Sequence, residues 1–123
     1  IGETSDDRQA PASAMIKVRV DGKTQIGADE GDGPVNAIDN AMRSALKVFY
    51  PKVEDMRLVD YKVRVVDGNA ATAAVVRVLI ETTDGEDVWT TVGASTDIIG
   101  ASVTALADSI RYKLLKDTEK GIR

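Results

Sequence analysis

From Met15 to Ala28 apolar and polar residues alternate, broken in the middle by Asp21-Gly22. Ile16, Val18 and Val20 fall on one side, Lys17 and Arg19 on the other. A period of two predicts strands, and Asp-Gly between them predicts a tight hairpin turn. The period then changes. After Pro34, well suited to a first helical turn, Ile38, Ala41, Met42, Ala45, Leu46 and Phe49 recur at helical spacing. Tyr50-Pro51 ends that helix, because a residue preceding proline disfavours the α region.

Alternation returns at Arg57–Val66, with Leu58, Asp60, Lys62, Arg64 and Val66 on one face and Val59, Tyr61, Val63 and Val65 on the other. Ala71–Thr83 is apolar on both faces near its centre, which predicts an interior strand. Asp84-Gly85 turns it into a strand over Asp87–Ala94. A second helix is predicted to start near Ser95–Asp97 and to bury Ile98, Ala101, Val103, Leu106, Ile110 and Leu114, with Lys113 and Lys116 near its negative dipole end. Residues 1–13 are polar and aperiodic and read as a linker, residues 117–123 as a fraying tail, and residues 14–116 as the folded domain. A start without Met is expected of a piece of something longer. The fold expected is α+β, a mainly antiparallel sheet packed on two helices.

The two helices resemble each other. Sliding residues 33–50 by sixty positions sets Gly33 on Gly93, Ile38 on Ile98, Ala41 on Ala101, Ala45 on Ala105 and Leu46 on Leu106. That predicts a pseudo-twofold pair of strand–helix units. The commonness of Ala and Leu in helices accounts for the same match without a repeat.

Composition narrows the chemistry. With 43% apolar residues but one Phe, one Trp and three Tyr in 123, the core must be Val, Ile, Leu and Ala. No apolar run is long enough to span a bilayer, and the N-terminus lacks the basic-then-apolar order of a signal peptide. The absence of cysteine removes disulfide and thiolate chemistry and fits a cytoplasmic protein. A net charge of -4 argues against nucleic acid or an anionic membrane as partner. No histidine is present, so the commonest general base and metal ligand is missing, and every nucleophile–histidine arrangement with it. The acidic residues Asp6-Asp7, Asp29-Glu30-Asp32 and Asp84-Glu86-Asp87 read as solvated turns, and Asp29–Gly33 lacks the ligand spacing of a calcium loop. The chain is not expected to catalyse a reaction alone, nor to hold a metal or cofactor.

One stretch invites a ligand. Thr91–Ser102 reads as a strand end, small hydroxyl residues and a first helical turn, a junction with free N–H groups and a positive dipole end. Beside Val35 and Ala94 such a cleft would suit an amino acid better than a nucleotide, since no G-x-G-x-x-G or G-K-[ST] is present. In the simpler reading Gly93 fits a tight turn and Ser95 or Thr96 caps the helix.

The runs "GDGPVNAIDNAMRSAL", "RLVDYKVRVV", "TAAVVRVLIE" and "WTTVGASTDIIGASVTALADSIRYKLL", in that order, resemble the C-terminal regulatory domain of the isopropylmalate synthase and citramalate synthase family. The resemblance covers residues 15–116 and is strongest to the citramalate synthase branch. It implies a domain that dimerises and binds the end-product amino acid of its pathway. It also implies a catalytic TIM barrel with a divalent metal in the same chain, none of whose sequence is among these residues. It further implies an effector site of Gly33, Val35, Asn36, Leu58, Asp60, Tyr61, Val65, Thr72, Ala74, Ala94, Ser95, Thr96 and Asp97. Relatives often carry proline at the position of Thr96 and glutamate at that of Gly100. The implied effector is isoleucine, with leucine the alternative. Each residue has another reading: Tyr61 as packing, Asp60 paired with Arg57 or Lys62, Thr72 as a strand opener, Trp89 as structural, and Arg77 reaching a sheet face or a subunit carboxylate. Two further alternatives are a dimerisation module without a ligand and a stand-alone carboxylate enzyme.

Overall fold

The structure, a computed structural model, describes residues 12–66 and 75–119. The chain divides into two compact units, residues 1–49 and 50–123. In the first unit β1 (Ala12–Val20) and β2 (Lys23–Gly31) form an antiparallel hairpin followed by α1 (Pro34–Leu46). The turn places Asp21 at φ 51° and Gly22 at φ 81°, the two left-handed positions for which Asp-Gly is suited. Ile16, Val18 and Val20 face inward as expected, and α1 buries Ile38, Ala41, Met42 and Ala45. Gly27 sits directly under this helix: a Cβ there would fall 2.2 Å from the Ala41 carbonyl oxygen and 2.7 Å from the Ala45 nitrogen.

The second unit begins with a 3-10 turn at Pro51–Asp55 and continues as β3 (Arg57–Val66), β4 (Val75–Thr83), β5 (Val88–Ser95) and α2 (Ile98–Glu119). The strands form one antiparallel sheet in the order β3-β4-β5. Helix α2 packs on β5 and β4, burying Val78, Ile80, Trp89, Ala105, Leu106 and Ile110. Gly93 repeats the close approach of Gly27, its Cβ position lying 2.1 Å from the Ala101 oxygen and 2.7 Å from the Ala105 nitrogen. The α+β class is therefore as expected, with the antiparallel strands in two sheets rather than one.

Several local expectations need correcting. The helix correspondence of Ala41 and Ala45 with Ala101 and Ala105 holds at the level of contacts, but the glycine matching Gly93 is Gly27. Gly33 instead precedes α1 in extended backbone. Residues 12 and 13 belong to β1, and α2 continues through Glu119 with Lys116 and Asp117 buried. Strand β4 is central, but only one of its apolar faces is covered; Leu79 on the other remains 38% exposed. Asp84 is not a solvated turn residue, its side chain being 2% exposed.

The largest correction concerns β3. Its pairing steps from Leu58↔Thr82 to Asp60↔Glu81, so Val59 is an extra, bulged residue. Residues directly opposite share a face of the sheet. Leu58 thus joins Tyr61, Val63 and Val65, opposite Thr82, Ile80, Val78 and Val76, on the side that α2 occupies. Strict alternation had placed Leu58 with Asp60.

Candidate functional site

Four rows of residues cross the helix side of the second unit's sheet: Trp89–Thr82–Leu58, Thr91–Ile80–Tyr61, Gly93–Val78–Val63 and Ser95–Val76–Val65. Helix α2 lies over the β5 and β4 members of each row and leaves β3 bare. Tyr61, Val63 and Val65 remain 37%, 42% and 61% exposed beside fully buried Val78 and Ile80. The result is an apolar strip on β3, flanked by the helix. At the end where α2 starts, Ser95 and Val65 share a row.

The α2 start is already capped. Asp97 accepts the Gly100 N–H at 2.7 Å, and Ser95 Oγ accepts the Asp97 N–H at 3.4 Å. The cap is thus Asp97, not Ser95 or Thr96, because its carboxylate reaches the third helical amide. That carboxylate occupies the positive end of the helix, which suits a ligand's ammonium better than its carboxylate. Thr96 is exposed.

The start of α1, in the first unit, has the opposite character. Gly33 offers no side-chain cap, Pro34 has no N–H, and no acidic residue stands in the first turn. The first amide engaged is that of Ala37, on the Gly33 carbonyl at 2.9 Å. The amides of Val35 and Asn36 are left without a hydrogen-bond partner among the described residues, a donor pair that suits a carboxylate.

The structure therefore sorts the expected site residues. Leu58, Tyr61, Val65 and Ser95 share one face, with Thr96 and Asp97 at its end. Asp60 and Ala94 lie on the opposite face of the same sheet, where Asp60 Oδ1 accepts the Tyr61 N–H at 2.8 Å and makes no ion pair with Arg57 or Lys62. Gly33, Val35 and Asn36 belong to the first unit. Thr72 and Ala74 lie outside the described residues. Trp89 is structural: its Nε1 donates to Ser109 Oγ at 3.0 Å, Ser109 Oγ donates in turn to Thr82 at 2.7 Å, and its ring lies 4.9 Å from that of Tyr112.

A second cluster was not anticipated. Lys113 reaches Asp84 at 2.8 Å and Asp117 at 3.1 Å, while Lys116 reaches Asp84 at 2.8 Å and also pairs with Asp87 and Glu86. These bonds tie the β4–β5 turn to the last turns of α2. Burial raises the Asp84 pKa, but hydrogen bonds from Lys113, Lys116 and the Asp87 and Glu86 amides outweigh it and hold the carboxyl well below its usual range. Burial likewise opposes the Lys113 charge, and Asp84 and Asp117 raise its pKa regardless. Hydrogen bonds to Asp84 and Asp87 raise Lys116. All three stay charged near neutrality, so the cluster is a fastening and not a proton-transfer site. No group of potential metal ligands is present among the described residues, and no helix among them is long and apolar enough to cross a membrane.

The family model described as "LeuA allosteric (dimerisation) domain" matches residues 3–114. The chain belongs to this family. Among curated proteins the LeuA domain is 48% identical over 122 residues to an (R)-citramalate synthase of Aquifex aeolicus, covering 99% of the chain and 23% of that enzyme. It is 51% identical over 120 residues to the (R)-citramalate synthase of Geobacter sulfurreducens, covering 97% and 23%. The corresponding Synechocystis enzyme is 48% identical over 103 residues, covering 84% and 19%. The chain thus spans about a quarter or less of the length of these relatives. Both the family and its citramalate synthase branch are those the sequence motifs resemble.

Proposed function

We propose that this LeuA domain is the isoleucine-sensing regulatory part of a citramalate synthase, acting as a homodimer that binds the effector at its interface. The observation that carries the reading is the bare strip of Leu58, Tyr61 and Val65 beside the α2 start. A branched aliphatic side chain suits this strip, and a second copy is the natural cover for an apolar surface the domain leaves open. In the first unit, taken by itself, the amides of Val35 and Asn36, without a hydrogen-bond partner among the described residues, are a donor pair of the kind a carboxylate requires. Inhibition requires isoleucine to prefer one state of the full-length protein, because equal affinity for both states shifts nothing. The catalytic condensation of acetyl-CoA with a 2-oxo acid belongs to the barrel expected in the same protein.

Thermal unfolding of the chain with isoleucine, leucine or valine tests the reading. A ligand at about a hundred times its dissociation constant adds roughly 2.7 kcal/mol, a shift of several degrees. A shift with isoleucine, lost in Tyr61→Ala, is expected. A larger shift with leucine would assign a leucine sensor of the isopropylmalate synthase branch. No shift with any of the three would leave a dimerisation module.

A further inference from the structure

The outer face of the β3-β4-β5 sheet, the one α2 does not touch, carries an unusual charge order. Its three central rows run Arg64–Arg77–Ala94, then Lys62–Leu79–Val92, then Asp60–Glu81–Thr90, and hold five charges; Val66–Val75 lies beyond the arginines and Arg57–Thr83–Val88 beyond the carboxylates. Two arginines stand directly opposite each other, and two rows further on two carboxylates do the same. Like charges in such cross-strand positions destabilise a sheet. None of these five charges is ion-paired among the described residues. Between the two charged rows lie Leu79 and Val92, 38% and 45% exposed.

We propose that this face binds the same face of a second copy, about a two-fold axis crossing the strands along the Lys62–Leu79–Val92 row. Rotation about that axis lays Arg64 and Arg77 over the partner's Asp60 and the partner's Glu81, and the reverse contacts follow by symmetry. Leu79 and Val92 meet their own counterparts at the centre. Sheets packed face to face stand about 10 Å apart, within reach of arginine and carboxylate side chains extended from both sides. Lys62, on the edge strand, is long enough to turn its ammonium to solvent. The bipolar order is what selects a second copy. An acidic partner would satisfy the arginines and be repelled by Asp60 and Glu81; a basic partner would meet the converse. This face is the reverse of the one that carries the strip of Leu58, Tyr61 and Val65, so one copy can use both, and the contact does not depend on an effector.

Charge reversal with light-scattering molar mass tests it. In about 0.1 M salt, where charges act over roughly 10 Å, Arg64→Glu/Arg77→Glu and Asp60→Lys/Glu81→Lys are each expected to lose association through this face, with the mass falling from that of a larger assembly to that of the dimer closed by the opposite face. Mixing the two variants is expected to restore the wild-type mass, since only the unlike pair is complementary. Circular dichroism confirms folding, and Leu79→Arg, which sets two like charges on the axis, is the independent variant and should lower the mass to the same dimer. Wild-type mass in all three variants, or no recovery on mixing, overturns the proposal. The isoleucine shift and its Tyr61→Ala control report on the other face and leave this result unaffected.

Discussion

Replacing Lys113 by methionine keeps much of its aliphatic bulk and removes the ammonium that two buried carboxylates share. The side chains of Lys113, Asp84 and Asp117 are 5%, 2% and 6% exposed, so water cannot replace what is lost. Breaking a buried ion pair on one side costs about 3–5 kcal/mol. Asp84 keeps Lys116 at 2.8 Å and the Glu86 and Asp87 amides at 3.0 Å each, whereas Asp117 loses its ammonium partner. The loss should therefore lie near the lower bound, about 3 kcal/mol. At an unfolding entropy of about 2.1 cal/mol/K per residue this lowers the midpoint by roughly 12 °C for a chain of this length. Urea and thermal unfolding followed by Trp89 fluorescence measure it, because Lys116 lies 5.5 Å from that ring and the reporter sits beside the cluster. Adding Asp117→Leu should recover much of the loss, since apolar replacement of a whole buried pair is often neutral or better. A loss below about 1 kcal/mol in Lys113→Met, the range of exposed pairs, would refute the claim that these charges are shielded from water.

Other outcomes are equally specific. Asp84, held below its normal pKa, contributes stability that is complete above its unfolded value of about 3.9 and is lost as pH falls below it. Lys113 and Lys116, both raised, contribute fully below about 10.4 and lose that contribution only as pH rises through their higher folded values. Unfolding free energy should thus be flat from about pH 5 to 10, with a shallower acid limb in Asp84→Asn. Gly93→Ala would place its methyl 2.1 Å from the Ala101 oxygen and should cost at least the roughly 1–3 kcal/mol typical of overpacking. Gly22→Ala meets open space and bears only its left-handed backbone, about 1 kcal/mol; equal losses in the two glycine variants would contradict the contact argument. Asp97→Ala should cost about 1 kcal/mol through its lost cap, while Thr96→Ala should be neutral by the same thermal assay.

Most of the elements were legible because their periodicity is a local property. The hairpin at Asp21-Gly22, the helix after Pro34 and the central place of β4 all follow from neighbouring residues. What the sequence concealed depends on distant or ambiguous partners. Asp84 and Lys113 are 29 residues apart, and a lysine on a helix reads as solvent-facing until its carboxylates are placed around it. Ser95, Thr96 and Asp97 are all capping types, so only the bond to Gly100 separates them. The counterpart of Gly93 is not Gly33, beside the helix, but Gly27, within a strand, where close packing and not a turn requires it. The candidate site was half legible for a related reason. Val59 is β-branched and looks like any strand residue, with no glycine to mark a bulge. Were Val59 paired in regular alternation instead, Leu58 would face with Asp60 and not with Tyr61 and Val65.

Val59 also changes how the strand answers to gain or loss of length. Elsewhere in β3 a one-residue deletion inverts the facing of whatever lies beyond it. Here the pairing Leu58↔Thr82 and Asp60↔Glu81 already skips Val59, so its removal would leave consecutive residues on consecutive partners. Leu58 would remain with Tyr61 and Val65, and Asp60 with Lys62 and Arg64. The strand thus holds one residue of slack at a single point, where its length can vary between relatives while inside and outside stay fixed.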